Sequence, residues 1–275
     1  MKVAVVTGAN QGLGRALVAG LRARLGPDDL VYLTGRDPAR VEAAVAGLAS
    51  QGLDAVPHQL DVTDDDSVGR FAATIRARHD GIDVLFSNAA ARISPDLSPR
   101  GQVRQFVATN NLGTTRVLRA LTPLIGPRGR LFVVASSFGT LRSLPDHLHA
   151  RFDDPALTLD EVDAVMADYV AAVEGGRSAA EGWPDWINIP SKVGQVAAMR
   201  VVARGATRAG AQHTFVAAVC PGLVDTAASR PWFDDMAQAQ TPAEAADHLV
   251  ALAVAPVDER WQGELVQFGR VLPWV

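Results

Sequence analysis

Short apolar runs alternate along the chain with longer stretches in which apolar positions recur at helical spacing. Val3 to Val6 is followed by a helical pattern from Arg15 to about Leu25, and Leu30 to Thr34 by one from about Ala39 to Ser50. Ala55 to Gln59 precedes the pattern Asp64 to His79, and Asp83 to Ser87 precedes a long helical region from Val103 to Leu124. Leu131 to Ala135 is uniformly apolar, as expected of a central parallel strand buried on both faces. Ser191 to Ala209 again reads as helix, Thr214 to Val219 as a buried strand that ends abruptly at Cys220-Pro221-Gly222, and Gly263 to Phe268 as the last strand. Thr241-Pro242-Ala243-Glu244 opens a helix running to about Ala253, with threonine as N-cap, proline at the first position and glutamate at the third. Repeated strand and helix units of this kind predict a doubly wound parallel sheet of about seven strands with helices on both faces. The crossovers should be right-handed and the site should lie at the carboxyl ends of the strands.

The alternation breaks between about Thr140 and Pro190, where Pro145, Asp153-Asp154-Pro155, Gly175-Gly176 and Trp183-Pro184 punctuate the chain. Within this segment Thr158 to Val173 has helical periodicity, with Leu159, Val162, Val165, Met166, Tyr169 and Val173 on related faces. An insertion of about 140–190 beside the end of a central strand is expected to be a lid or pocket element, with a surface decoration as the alternative.

Composition narrows the picture. A chain of 275 residues that is 48% hydrophobic can bury a full core, and a single α/β domain spanning 1–275 is expected. The net charge of −4, with both signs mixed along the sequence, leaves no concentrated positive field for nucleic acid or an anionic membrane, so a small-molecule substrate is expected. The single cysteine, Cys220, excludes an internal disulfide and suits packing in an apolar strand. No charged leader precedes Val3 and no apolar run approaches ~20 residues, so a cytoplasmic protein is expected. No metal is expected.

The chemistry is concentrated first in Thr7-Gly8-Ala9-Asn10-Gln11-Gly12-Leu13-Gly14, which joins the first strand to the first helix. Glycines there remove side chains that would block close approach or forbid positive φ, and a strand, glycine turn and helix bring bare N–H groups up to a phosphate. A single-domain Rossmann fold with a nucleotide at this turn is the expectation.

The whole set of motifs resembles the short-chain dehydrogenase/reductase family, and more closely its monomeric carbonyl-reductase branch, over roughly Val3 to Phe268. The residues that carry the resemblance are Thr7-Gly8 with Gly12 and Gly14; Leu60-Asp61-Val62; Ser87-Asn88-Ala89-Ala90; Thr109-Asn110; Ser136 in a Ser-x-x-Gly frame with Gly139; and Pro221-Gly222 followed by Thr226. The insertion ending in Glu181-Gly182-Trp183-Pro184 is what looks like the carbonyl-reductase branch, and it implies a monomer because tetrameric relatives associate through that surface. The resemblance implies that Asp61 and Val62 hold an adenine, that Asn88 braces the central strands near the ribose, and that Thr226 reaches the nicotinamide end. Ser87 and Ala90 stand where Asn and Gly are usual. NAD-preferring sites place an acid just after the second strand, and a 2′-phosphate needs a cation there instead. Gly35 occupies the position of the acid, Arg36 follows, and Asp37 is placed to cap the next helix, so NADP is the expected cofactor.

Members of the family reduce a carbonyl while a tyrosine, four residues before a lysine, donates the proton and a serine orients the substrate oxygen. Lys192 is present, one of two lysines in the chain, but four positions before it stands Asn188. An asparagine amide donates a hydrogen bond without giving up a proton near neutral pH. Ser136 is the expected pocket hydroxyl, with Ser137 as the alternative, and Asn110 completes the set. Only Tyr32 and Tyr169 exist as tyrosines, and His147 and His149 follow the serine strand. Three readings follow. The first is an NADPH-dependent reductase acting on a conjugated C=C or an imine, with the acceptor polarised by Asn188. The others are a non-redox isomerase, cyclase or dehydratase with the nucleotide as a pocket wall, and a catalytically silent cofactor-binding protein. Pocket walls are expected from Ile93 to Pro99, the insertion, and Ala227 to Met236.

Overall fold

A computed structural model describes residues 1–208 and 214–275. Its centre is an eight-stranded sheet built from β1 (Val3–Val6), β2 (Leu30–Gly35), β3 (Val56–Gln59), β4 (Ile82–Ser87), β5 (Ile125–Val134), β6 (Phe215–Val219), β7 (Leu265–Gln267) and β8 (Arg270–Leu272). The spatial order is β3-β2-β1-β4-β5-β6-β7-β8, and every pairing is parallel except β7 with β8. The chain therefore reverses its direction of travel across the sheet between β1 and β4, where an open α/β sheet leaves a crevice.

Alternation along the strands divides the core in two. Val3 and Val5 of β1, with Leu131 and Val133 of β5, pack beneath α3 (Asp65–Arg78), α4 (Pro99–Val107), α5 (Gly113–Leu121) and α7 (Asn188–Arg208). Ala4 and Val6, with Phe132 and Val134, face α1 (Gly12–Arg24), α2 (Pro38–Ala49) and α8 (Pro242–Val254). Polar residues start the helices as the pattern indicates. Asp37 caps α2 through the amides of Ala39 and Arg40, and Thr241 with Glu244 forms a reciprocal capping box on α8. At the other end of α8, half-buried Arg130 reaches across to donate to the carbonyls of Leu252 (3.0 Å) and Ala255 (2.6 Å).

Three features differ from the sequence reading. The sheet has eight strands rather than about seven, because the chain turns back at Phe268-Gly269, both with positive φ, and adds β8 as an antiparallel edge. The region Val103 to Leu124 is not one helix: a five-residue π turn, Ala108–Leu112, separates α4 from α5, and a short 3-10 turn follows at Thr122–Leu124. Helix α7 begins at Asn188 rather than Ser191, and its expected end at Ala209 lies outside the described residues. The helix of the insertion, α6 (Leu159–Glu174), packs against α4 and α7 with Val162, Met166, Tyr169 and Val173 buried, because its apolar face is wide enough to be a core layer. Trp183 is buried against Tyr169 and Phe152, at ring separations of 4.8 and 6.3 Å, and closes that layer. No helix among the described residues is long and apolar enough to cross a membrane.

Phe132 lies in the second core, 1% exposed, stacked on Phe86 at 5.0 Å and 5.8 Å from Phe215. Phe132→Ala is expected to cost ~3–5 kcal/mol of unfolding free energy through the lost contacts and the cavity left behind. Urea denaturation of the two proteins measures it, and a loss below about 1 kcal/mol would show that the aromatic stack is not a principal support.

Candidate active site

The glycine turn closes tightly on the end of β4. Gly8 has φ +63°, and a Cβ on it would lie 2.6 Å from the Cα of Ala89; a Cβ on Gly14 would lie 2.5 Å from the Gly8 carbonyl oxygen and 2.6 Å from the Asn88 amide nitrogen. Gly12, at φ +53°, is different: a Cβ there would meet only the Thr226 methyl, at 3.8 Å. Its need is for the backbone conformation. Thr7 and Asn88 lock the turn in place. The Thr7 hydroxyl accepts from the amides of Asn88 (2.9 Å) and Ala89 (3.0 Å), and the Asn88 side chain donates to the carbonyls of Thr7 (2.9 Å) and Gly8 (3.2 Å). Helix α1 starts beyond this turn with Gln11 at its N-cap and no side-chain capping bond, so its first N–H groups have no side-chain acceptor.

Two cavities open at this edge, each of about 390 Å³, and they share Ala90, Ala91 and Arg92. The first is a polar groove. Of the residues singled out from sequence, Gly8, Asn10, Gln11, Arg36, Asp61, Val62 and Ala89 line it. Arg40, which sequence reading passed over, lines it as well and donates to the Gln11 side-chain oxygen. Its spacing of four from Arg36, just inside α2, was the available signal. The Asp61 carboxylate accepts from the Thr63 amide (2.9 Å) and hydroxyl (2.7 Å), which fixes the turn after β3.

The second cavity is mostly apolar. Ser136, Asn188, Lys192 and Asn110 all line it, together with Leu13, Pro221, Gly222 and Thr226. Gly12, Gly14 and Asn88 line neither cavity; they shape the turn behind the groove. Aromatic walls come from Phe138, Trp186, Trp232 and Phe233. Trp186 meets Phe138 edge-on at 5.1 Å and Trp232 at 6.1 Å. Of the insertion, only Trp186 and Asn188 reach this space. Ser136 is half-buried and accepts weakly from the Phe138 amide at 3.4 Å, whereas Ser137 is exposed, and both face the cavity.

Asn110 sits in the π turn, 1% exposed, with its side-chain oxygen taking the Ala91 amide at 2.7 Å. Such a turn inserts one residue into the ladder and redirects a side chain, here toward the cavity. The Lys192 ammonium donates to the Gln195 side-chain oxygen at 2.8 Å and to the Val134 carbonyl at 3.4 Å. Burial pulls its pKa down from the usual lysine range to about 8, against a weaker opposing effect of the nearby Cys220. Gln195, also absent from the sequence reading, is 2% exposed and donates onward to the Thr114 hydroxyl at 3.1 Å. Cys220 lines the cavity too, with its thiol pushed up by burial.

No tyrosine lines the cavity. Tyr32 bonds to His79 at 2.8 Å, and Tyr169 is fully buried in the insertion layer, its hydroxyl without a partner among the described residues and its pKa raised by burial. His147 and His149 hold the carbonyls of Glu181 (3.0 Å) and Leu144 (2.9 Å) and stay outside. The Asn188 side chain, at the first position of α7, makes no hydrogen bond to a described residue.

Comparison with known proteins accords with this geometry. Residues 2–145 match the family model described as short chain dehydrogenase. The chain is 35% identical over 278 residues to carbonyl reductase (NADPH) 1 of Bos taurus, covering 99% of this chain and 98% of that protein. It is also 35% identical over 279 residues to the protein of that name from Homo sapiens, with the same coverage of 99% and 98%. Among solved structures, salutaridine reductase from Papaver somniferum is similar at 26% identity and a TM-score of 0.77, over 93% of this chain and 96% of that one. Menthone neomenthol reductase from Mentha piperita, at 23% identity and a TM-score of 0.79 over 98% and 99%, shares the fold. Identity at this level along the whole of both chains is kinship, and the chain belongs to the short-chain dehydrogenase family.

Proposed function

We propose that the protein is an NADPH-dependent reductase of flat, apolar organic molecules, and that its acceptor is a conjugated C=C or an imine rather than a simple ketone. One observation carries this reading. Ser136, Lys192 and Asn110 converge on a cavity beside a phosphate-ready turn, and the residue that faces them from four positions before Lys192 is Asn188, with no tyrosine in the cavity.

The groove fits the dinucleotide. Gly8 and Gly12 hold positive φ and put no side chain between the turn and a diphosphate, and the uncapped start of α1 favours one. Arg36 and Arg40 flank the groove as two cations for a 2′-phosphate, and the bovine and human relatives carry NADPH in their names. Asp61 and Val62 would hold the adenine, Thr226 with Pro221-Gly222 the nicotinamide end, and Lys192 the ribose. When bound, the nicotinamide supplies a hydride.

The residues of the chain then decide what can accept it. The Ser136 hydroxyl and the Asn188 amide each donate a hydrogen bond to an acceptor heteroatom and so draw electron density toward it. Neither gives up a proton near neutral pH. General acid catalysis contributes ~10²–10⁴-fold, so an acceptor that must be protonated on oxygen as it is reduced is at a disadvantage here. Aromatic walls with no carboxylate among the described lining residues suit an uncharged ring system. The insertion helix covers α4 and α7, which supports a monomer.

Two outcomes are expected. Arg36→Glu should weaken NADPH binding ~10–100-fold while leaving NADH nearly unchanged, because one charge-assisted phosphate contact is worth about 1.5–3 kcal/mol. Fluorescence titration with both nucleotides measures the ratio, and an unaltered ratio would remove Arg36 from the site. NADPH oxidation should be rapid with cyclic imines or α,β-unsaturated ketones and slow with simple aldehydes, and Asn188→Tyr should raise aldehyde or ketone reduction by ~10²-fold or more. A variant as inactive as the parent toward ketones would place the difference in pocket shape instead.

A further inference from the structure

We propose that Arg92 determines the specificity of the cavity, and that it takes a carboxylate carried on the periphery of the flat acceptor. The proposal rests on the reading of this cavity as the acceptor site of a reductase.

Arg92 stands at the seam of the site. It follows Ala90 and Ala91 beyond the end of β4, and these three residues are the lining that the polar groove and the apolar cavity have in common. Its side chain is exposed and makes no hydrogen bond or ion pair to a described residue. An arginine in that condition is ordinarily a solvated surface charge. Two observations set this one apart.

The first is that its backbone is held from both sides. The Ala91 amide donates to the side-chain oxygen of buried Asn110 at 2.7 Å, and the Ser94 amide donates to the side-chain oxygen of half-buried Gln102 at 2.8 Å. The Gln102 nitrogen donates in turn to the carbonyls of Ser94 (3.0 Å) and Leu97 (2.7 Å). One carboxamide on α4 and one in the π turn therefore fix the loop around Arg92, so only the side chain remains to be ordered when a ligand arrives.

The second is that nothing in the site neutralises it. The described cavity lining holds two cations, Arg92 and Lys192, and no carboxylate. Asp37 and Asp61 line the groove, but Asp37 caps α2 and Asp61 holds the turn at Thr63. Cations without a counter-charge favour an anion between the walls. On the assignments above, Arg36 and Arg40 take the 2′-phosphate, the glycine turn takes the diphosphate and Lys192 takes the ribose, which leaves Arg92 as the cation available to the acceptor. Its planar fork presents two parallel N–H donors, the match for a carboxylate. Phe138, Trp186 and Trp232 would flank the ring, Ser136 and Asn188 would hold the polarised heteroatom, and Arg92 the acidic end. An acceptor held at both ends lies in the cavity one way round, which selects the carbon that meets the hydride.

The probes for a test are benzylideneacetone bearing a para-carboxylate and the methyl ester of that compound. Calorimetric titration into the whole protein saturated with NADP+ reads binding, and NADPH oxidation reads turnover. The acid should be preferred over the ester ~10-fold in kcat/KM, mainly through KM, as one charge-assisted contact at an exposed position implies. Arg92→Gln should remove that preference, Arg92→Lys should keep part of it, and Arg92→Glu should reverse it. An acid-to-ester ratio that is the same in all four proteins overturns the proposal, as does failure of either probe to bind. A loss of NADPH affinity in Arg92→Gln that matches its loss for the acid assigns the guanidinium to the cofactor and also overturns it. Binding of the acid that depends on Arg92, in a protein that reduces neither probe, supports the carboxylate site and overturns the reductase reading.

Discussion

The hydrogen bonds between the ends of β1 and β4 are the constraint on which the site depends. Thr7 closes one strand and Asn88 the other, and each bonds the backbone of its counterpart, so neither strand end can move alone. Glycine at position 8 follows from that closeness, because any Cβ there would collide with Ala89, and glycine at 14 follows because the Asn88 amide occupies the space. The first turn of α1 is then aimed by the sheet rather than by its own capping. A groove forms on one side of this junction and a cavity on the other, at the place where the strand order reverses.

A second constraint is the lysine under the cavity. Burial lowers its pKa from the 10.5 of a free side chain to about 8, so between those two values the unfolded chain binds more protons than the native one. Stability therefore rises with pH across that window, and below about pH 8 the native state bears the full disadvantage of the buried charge. A neutral apolar residue at 192 would spare the fold this. The charge is held by the Val134 carbonyl and by Gln195, which is itself bonded to Thr114 and through it to the Asn110 carbonyl.

Much of this was legible in the sequence because it depends on local pattern. Buried parallel strands read as continuous apolar runs, the helix starts carry their capping residues, and the glycine turn, Ser136 and Lys192 stand at separations that a strand-turn-helix geometry dictates. What was missed depends on contacts across the fold. The π turn around Asn110 was missed because Ala108–Leu112 carries apolar side chains only at its two ends, too few for periodicity to register the change of phase. The three-residue β8 is too short and too exposed to register, and Gln195 reads as one polar residue in a helix until Lys192 and Thr114 are placed on either side of it. The apolar face of α6 was visible, but whether it covered a pocket or a core layer depended on where the neighbouring helices stood.

These two constraints together limit what the cavity can do. The Asn88 junction fixes where a dinucleotide would lie, and the α7 register fixes that residues 188 and 192 present themselves one helical turn apart on the same face. On the reading proposed above, the pair divides two tasks that a tyrosine and lysine would share. The Asn188 amide, bound to no other described group, is free to polarise an acceptor, and Lys192 would hold the ribose. An amide donor of this kind suits a conjugated acceptor, whose heteroatom needs only to be polarised while hydride goes to the distal carbon and the proton to the carbon between, whereas a simple carbonyl must take its proton on the polarised oxygen itself.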